Sequence, residues 1–136
     1  MSQAEIGQIF FSGGHGIDVV DHGDIKRALN ENGRNYIDRI FSVAESKLGG
    51  SAPDCRFWAG RLAAKEAVLK SLGLGIQDGL KLNEIEILRL DSGRPFVKLG
   101  GAISQFVDKD LKFLISISHA NEFSIASVFC ATQVKD

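Results

Sequence analysis

The sequence predicts an α+β domain, an antiparallel sheet packed on one long helix. Two observations carry that expectation. Residues 53–72 run at helical period without interruption, and residues 112–118 and 123–132 form two apolar runs joined by the turn His119-Ala120-Asn121-Glu122. A third segment, Glu84-Ile85-Glu86-Ile87, alternates acidic and apolar residues, the pattern of a half-buried strand. At 136 residues with 44% hydrophobic content, the chain reads as one domain spanning 1–136 with a core of useful size.

In chain order, residues 15–20 read as a strand, with Ile17, Val19 and Val20 as its apolar positions. Residues 23–30 and 35–42 read as short helices separated by Asn32-Gly33, a turn pair. Residues 47–52 contain Gly49-Gly50-Ser51 and read as a flexible connector. The long helix has Pro53 and Asp54 at its start and Gly73 just past its end. A glycine-rich loop is expected at 74–80, and strands at 84–90 and 96–99 joined through Asp91-Ser92-Gly93-Arg94-Pro95. A short helix at 101–108 precedes the final pair of strands. The chain carries no internal repeat and no low-complexity tract.

Composition excludes several classes. A net charge of −1 gives no electrostatic support for nucleic-acid binding. No apolar run approaches the roughly 18–20 residues needed to span a membrane. Met1 to Gln8 lack the cationic and apolar regions of a signal peptide, so a cytoplasmic protein is expected. Cys55 and Cys130 have no ligand-spaced Cys or His neighbours and read as plain thiols.

The long helix holds the densest chemistry. Gly60, Ala63, Ala64 and Ala67 recur at helical spacing, so one side admits another backbone closely, while Trp58, Leu62 and Leu69 supply bulk for a core. Glu66 and Lys70 are four residues apart and share a face. Taken alone, that spacing is an ordinary helix ion pair worth about 0.2–0.5 kcal/mol. It also suits metal-assisted phosphate chemistry, with the carboxylate holding a hard cation and the ammonium neutralising phosphate charge. Asp18 interrupts an apolar strand; an outward-facing edge residue and a functional carboxylate fit that pattern equally well.

Four segments in order are Gly16-Ile17-Asp18-Val19, Gly60-Arg61-Leu62-Ala63-Ala64-Lys65-Glu66-Ala67-Val68-Leu69-Lys70, Gly93-Arg94-Pro95, and Ser116-Ile117-Ser118-His119. Together they resemble the small holo-acyl-carrier-protein synthases, the trimeric type of 4′-phosphopantetheinyl transferase, over nearly the whole chain from Gly16 to Val128. The helix motif is specific, the first motif alone is weak, and the ordered set is strong. The resemblance implies the 4′-phosphopantetheinyl transferase fold and a homotrimer with active sites at subunit boundaries.

It also implies residue roles. Asp18 and Glu66 correspond to the two carboxylate ligands of magnesium. Lys70 corresponds to the lysine that stabilises or protonates the leaving 3′,5′-ADP phosphate. His119 matches a histidine near the coenzyme A phosphates, with Ser118 helping to position the same group. Gly93, Arg94 and Pro95 match the turn lining the adenine and ribose end of the coenzyme site. Arg61 and Lys65, one turn apart, are candidate contacts to coenzyme phosphates, against a default of solvated charges. Asp21 is expected at a strand end or helix cap.

The implied reaction is attack by a serine hydroxyl of apo acyl carrier protein on the β-phosphate of coenzyme A, in support of fatty acid biosynthesis. The base is either a water held by Asp18 or Glu66 and the metal, or Glu66 itself. Two departures stand out. Asp24 occupies a position where relatives often carry an arginine, which places a repulsive charge near an acidic carrier and leaves Lys26, Arg27, Arg34 and Arg39 as candidate docking cations. Gly73-Leu74-Gly75 stands where relatives often have a hydroxyl between the glycines. A non-catalytic coenzyme-A-binding or scaffold module, and a transferase serving a specialised synthase, are the competing readings.

Overall fold

A computed structural model describes residues 13–50, 54–75 and 79–132. The elements are β1 (Gly13–Asp21), α1 (His22–Asn32), α2 (Arg34–Ile40), α3 (Val43–Leu48), α4 (Cys55–Leu72), β2 (Ile85–Arg89), β3 (Pro95–Leu99), β4 (Leu111–His119) and β5 (Phe123–Thr132), with 3-10 turns at Leu82–Glu84 and Gly101–Phe106. The α+β class stands. The strands divide into two antiparallel sheets, a three-stranded sheet ordered β1-β5-β4 and a two-stranded hairpin of β2 and β3.

Local chemistry fixes the helix ends. The Asp21 side chain accepts from Gly23 N at 2.6 Å and caps α1, which stops at Gly33 with φ 50. The Asp54 side chain accepts from Phe57 N at 3.1 Å and opens α4. Gly73, at φ 70, closes α4: its N–H donates to Lys70 O and Leu74 N donates to Leu69 O at 2.9 Å. The expected start of this helix at Pro53 and the expected loop around 76–78 fall outside the described residues.

The connector expected at 47–52 begins instead inside a helix. Ser42 accepts from Glu45 N while the Glu45 side chain accepts from Ser42 N, a reciprocal cap that starts α3 where the second short helix was expected to end.

The long helix α4 lies across the three-stranded sheet. Ala59, Ala63, Ala64, Ala67 and Val68 are wholly buried, facing Ala126 and Val128 of β5. The backbone that the stripe of small residues admits is therefore supplied by the same chain. Gly16 shows why small residues are needed: a Cβ there would meet Ala67 O at 2.0 Å. Phe41 and Trp58 close the other side of α4, with ring centroids 4.6 Å apart. Among the described residues, no helix is long and apolar enough to cross a membrane.

Candidate active site

Inward-facing positions of β1 alternate as Gly14, Gly16, Asp18 and Val20, so Asp18 looks toward α4 rather than out from an edge. One turn of α4 separates Glu66 from Lys70, and both reach toward Asp18. Lys70 Nζ donates to Asp18 Oδ1 and to Ile17 O, each at 3.0 Å. The other oxygen, Asp18 Oδ2, is buried with no partner from a permanent donor, and the Glu66 carboxyl hydrogen-bonds to Asp18 when it is protonated. Burial, followed by the adjacent Asp18, pushes the Glu66 carboxyl up to about 7, with Lys70 opposing. Lys70 thus compensates only part of the negative charge at this point.

Two adjacent half-buried carboxylates that raise each other's cost of ionisation, with no second cation besides Lys70 at the Glu66 carboxyl, fit a hard, oxygen-seeking cation. No cluster of three or more metal-binding side chains occurs among the described residues, so the remaining ligands would be substrate oxygens and water.

A cavity of about 480 Å³ opens toward the N-terminal half of α4. It gathers Arg61, Gly93, Arg94, Pro95 and His119, five of the residues singled out in the sequence, and adds Arg89. Arg89 sits opposite Pro95 at the turn end of the β2–β3 hairpin. The sequence reading did not single out Arg89; its place just before the turn that holds Gly93, Arg94 and Pro95 was the available signal. Gly60 and Glu66 are six residues apart on α4, about 9 Å along its axis, so the cavity and the carboxylate pair are neighbouring stations rather than one pocket.

Arg61 is buried. Its Nε donates to Ile87 O at 3.1 Å and its guanidinium lies 4.1 Å from the Phe57 ring centroid. Burial and nearby Arg89 lower its pKa to about 10, which keeps it charged at neutral pH.

Lys65 requires a correction. It is 0% exposed, and its Nζ donates to Glu45 Oε1 at 2.5 Å, Leu82 O at 3.0 Å and Ile85 O at 2.5 Å. An ammonium has three donors, and here all three are used inside the core, so none is left for a coenzyme phosphate. The Glu45 carboxylate also accepts from Ile87 N at 3.0 Å, tying α3 and α4 to β2. Ser118 lies on the outward face of β4 opposite Ile125 and does not line the cavity of its own chain, so any role for it at the coenzyme requires a site shared between subunits.

His119 ends β4 with its ring laid on α4. A Cβ at Gly60 would stand 2.7 Å from His119 Cε1, so glycine is what permits the approach. Its Nδ1 lies 2.7 Å from Ser124 Oγ. Burial, then His22, Arg56 and Arg61, lower its pKa from the ordinary 6.5, against Asp54. His22 and Ser124 escaped the sequence reading. A serine at an inward strand position between the outward Phe123 and Ile125 was the one available signal.

Comparison with known proteins agrees with this arrangement. The family model described as ACPS, 4′-phosphopantetheinyl transferase superfamily, matches residues 14–128. The holo-[acyl-carrier-protein] synthase of Geobacter metallireducens is 37% identical over 118 residues, 85% of this chain and 94% of that protein. The protein of the same name from Clostridium kluyveri is 44% identical over 116 residues, 83% of this chain and 85% of that one. The fold resembles the Helicobacter pylori holo-[acyl-carrier-protein] synthase in complex with coenzyme A, with TM-score 0.75 at 28% identity over 86% of this chain and 99% of that one. It also resembles the Chronobacterium ammoniagenes ACPS–CoA complex, with TM-score 0.78 at 25% identity over 90% of this chain and 99% of that one. The ordered motifs, the matched span and the relatives agree that this chain belongs to the 4′-phosphopantetheinyl transferase superfamily, within its holo-acyl-carrier-protein synthase family.

Proposed function

We propose that this chain transfers the 4′-phosphopantetheinyl group from coenzyme A to a serine hydroxyl of apo acyl carrier protein. The serine hydroxyl gives its proton to the base, Glu66 or a water beside Asp18 and Glu66, as its oxygen forms a bond to the β-phosphorus; the bond from that phosphorus to the bridging oxygen breaks, and 3′,5′-ADP leaves with the electron pair. The observation that carries this reading is the half-buried, undercompensated pair of Asp18 and Glu66 beside Lys70. Magnesium held by these two carboxylates would supply positive charge to the pyrophosphate oxygens.

The chain's own groups account for the rest. Lys70 carries its ammonium at the surface on a rigid helix, where it can move from Asp18 to the leaving phosphate. Arg61, Arg89 and Arg94 give the cavity a positive wall suited to the phosphates of the nucleotide end. The 9 Å or so between cavity and carboxylates suits an elongated ligand that reaches both.

The three-stranded sheet leaves its second face open. Ile17, Val19, Leu114, Phe123, Ile125 and Phe129 are all exposed there in a single chain. A face this apolar favours association with further copies, in a closed homotrimer with sites at the subunit boundaries. We place the protein in the cytoplasm, serving fatty acid biosynthesis. Incubation with coenzyme A, magnesium and an apo carrier protein, followed by mass measurement of the carrier, tests the reading. A carrier gaining one phosphopantetheinyl group supports it; coenzyme binding without transfer to any carrier supports a non-catalytic module instead.

A further inference from the structure

Three polar side chains from separate parts of the chain form one line of hydrogen bonds behind His119. His22 opens α1, Ser124 is wholly buried on the inward face of β5, and His119 ends β4. His22 Nδ1 lies 3.2 Å from Asn121 O, His22 Nε2 lies 2.8 Å from Ser124 Oγ, and the same hydroxyl lies 2.7 Å from His119 Nδ1. A carbonyl oxygen can only accept, so His22 Nδ1 carries the hydrogen. With both rings neutral, His22 Nε2 accepts from the Ser124 hydroxyl, whose oxygen accepts from His119 Nδ1–H. The polarity of the whole line is set at its far end by a backbone carbonyl. That carbonyl is itself held: His22 N donates to Glu122 O and Ala120 N donates to Phe123 O, each at 2.8 Å, clamping the β4–β5 turn to the start of α1.

We propose that His22 and Ser124 are positioning residues that hold neutral His119 as its Nδ1–H tautomer and leave Nε2 as the ring nitrogen free for a ligand in the cavity. A neutral Nε2 then has a lone pair and no hydrogen, so it cannot donate to a phosphate. Binding a phosphate requires the ring to take up one proton, with Nδ1–H kept on Ser124 Oγ and the new Nε2–H given to the ligand. This consequence rests on reading the cavity as the phosphate end of the coenzyme site. The charged and titratable groups facing the ring are His22 from α1, Arg56 and Arg61 from α4, and Asp54 at the α4 cap. The first three and burial disfavour the proton, Asp54 favours it, and an incoming phosphate adds the missing negative charge.

Long-range nitrogen–proton spectra of the full chain report the tautomer and charge of each histidine ring. In alkaline buffer, His119 is expected to show a protonated Nδ1 and a bare Nε2. Ser124→Ala should lose this single tautomer, and Ser124→Thr, which keeps a hydroxyl, should retain it. Added inorganic phosphate or 3′,5′-ADP at neutral pH should convert the wild-type ring to imidazolium. A wild-type His119 with its proton on Nε2, or a Ser124→Ala spectrum identical to wild type, overturns the positioning role. The expected tautomer with no response to either ligand supports the positioning role and overturns the phosphate reading of the cavity.

Discussion

Gly16 of β1 lies directly on the carbonyl of Ala67 in α4, so close that a methyl group on Gly16 would stand 2.0 Å from that oxygen. The contact joins two backbones, neither of which can rotate away as a side chain would. It sets the distance between β1 and α4, and therefore between Asp18, two residues along the strand, and Glu66, one residue before Ala67 on the helix. Gly16→Ala should force the two elements apart. The cost expected from overpacking is about 1–3 kcal/mol, measured by urea denaturation. Transfer activity should fall further than the loss of folded protein explains, because the carboxylates separate. An unchanged midpoint and unchanged activity would contradict this account of the contact.

The Lys65–Glu45 pair is buried on both sides and is read here as part of the core. Lys65→Met leaves the Glu45 carboxylate buried without its cation, and a stability loss of about 3–5 kcal/mol is expected. Glu45→Gln with Lys65→Met removes both charges, and its cost should fall short of the summed single costs by about 0.5–3 kcal/mol. At a temperature where the single variants remain folded, KM for coenzyme A should be unchanged. Additive losses, or a raised KM for coenzyme A, would return Lys65 to the ligand site.

Asp24 forms an exposed ion pair with Arg27 on the first turns of α1. The pair cancels one of the cations available to an acidic carrier protein. Asp24→Arg frees Arg27 and adds a second positive charge. Steady-state kinetics should show a lower KM for the carrier, a steeper rise of that KM with salt, and little change for coenzyme A. An unchanged carrier KM would move docking away from this helix.

The exposed sheet face makes a separate claim. Phe129 is 49% exposed and stacks on His15 at 4.3 Å between centroids, while Leu114 is its cross-strand neighbour on β4. A charge at either position costs the isolated chain little and should disrupt association through this face. Sedimentation of Phe129→Asp and Leu114→Asp should therefore report single chains with near-native circular dichroism, and transfer activity should be lost with the assembly. An active single-chain wild type would contradict the shared-site arrangement.

Much of this was legible in sequence because it follows from periodicity and local caps. The long helix, its Asp54 start and Gly73 end, and the strand at 123–132 came from patterns a few residues wide. The start of α3 was legible too, since Ser42 and Glu45 form the capping pattern, but a glycine-rich connector just downstream masked it. Lys65 was not legible. Its position on α4 beside Arg61 and Glu66 looks solvated until Glu45, twenty residues earlier, is folded against it. The same holds for His22 and Ser124, which are a hundred residues apart and meet only when β1 pairs with β5. Division of the strands into two sheets likewise depends on long-range pairing, because β1 pairs with β5 and the β2–β3 hairpin pairs only with itself.

We propose that Asp18 and Glu66 hold the cation on which transfer by this chain depends. The direct measurement is the rate of mass gain by an apo carrier protein given coenzyme A, titrated with magnesium, for wild type, Asp18→Ala and Glu66→Ala. Wild type is expected to add one phosphopantetheinyl group per carrier at a rate that rises with magnesium. Each variant, folded by circular dichroism, should lose most of that rate, more than the roughly 10–100-fold that loss of a residue merely supporting a metal ligand costs. Near-wild-type turnover by either variant at low magnesium would contradict it.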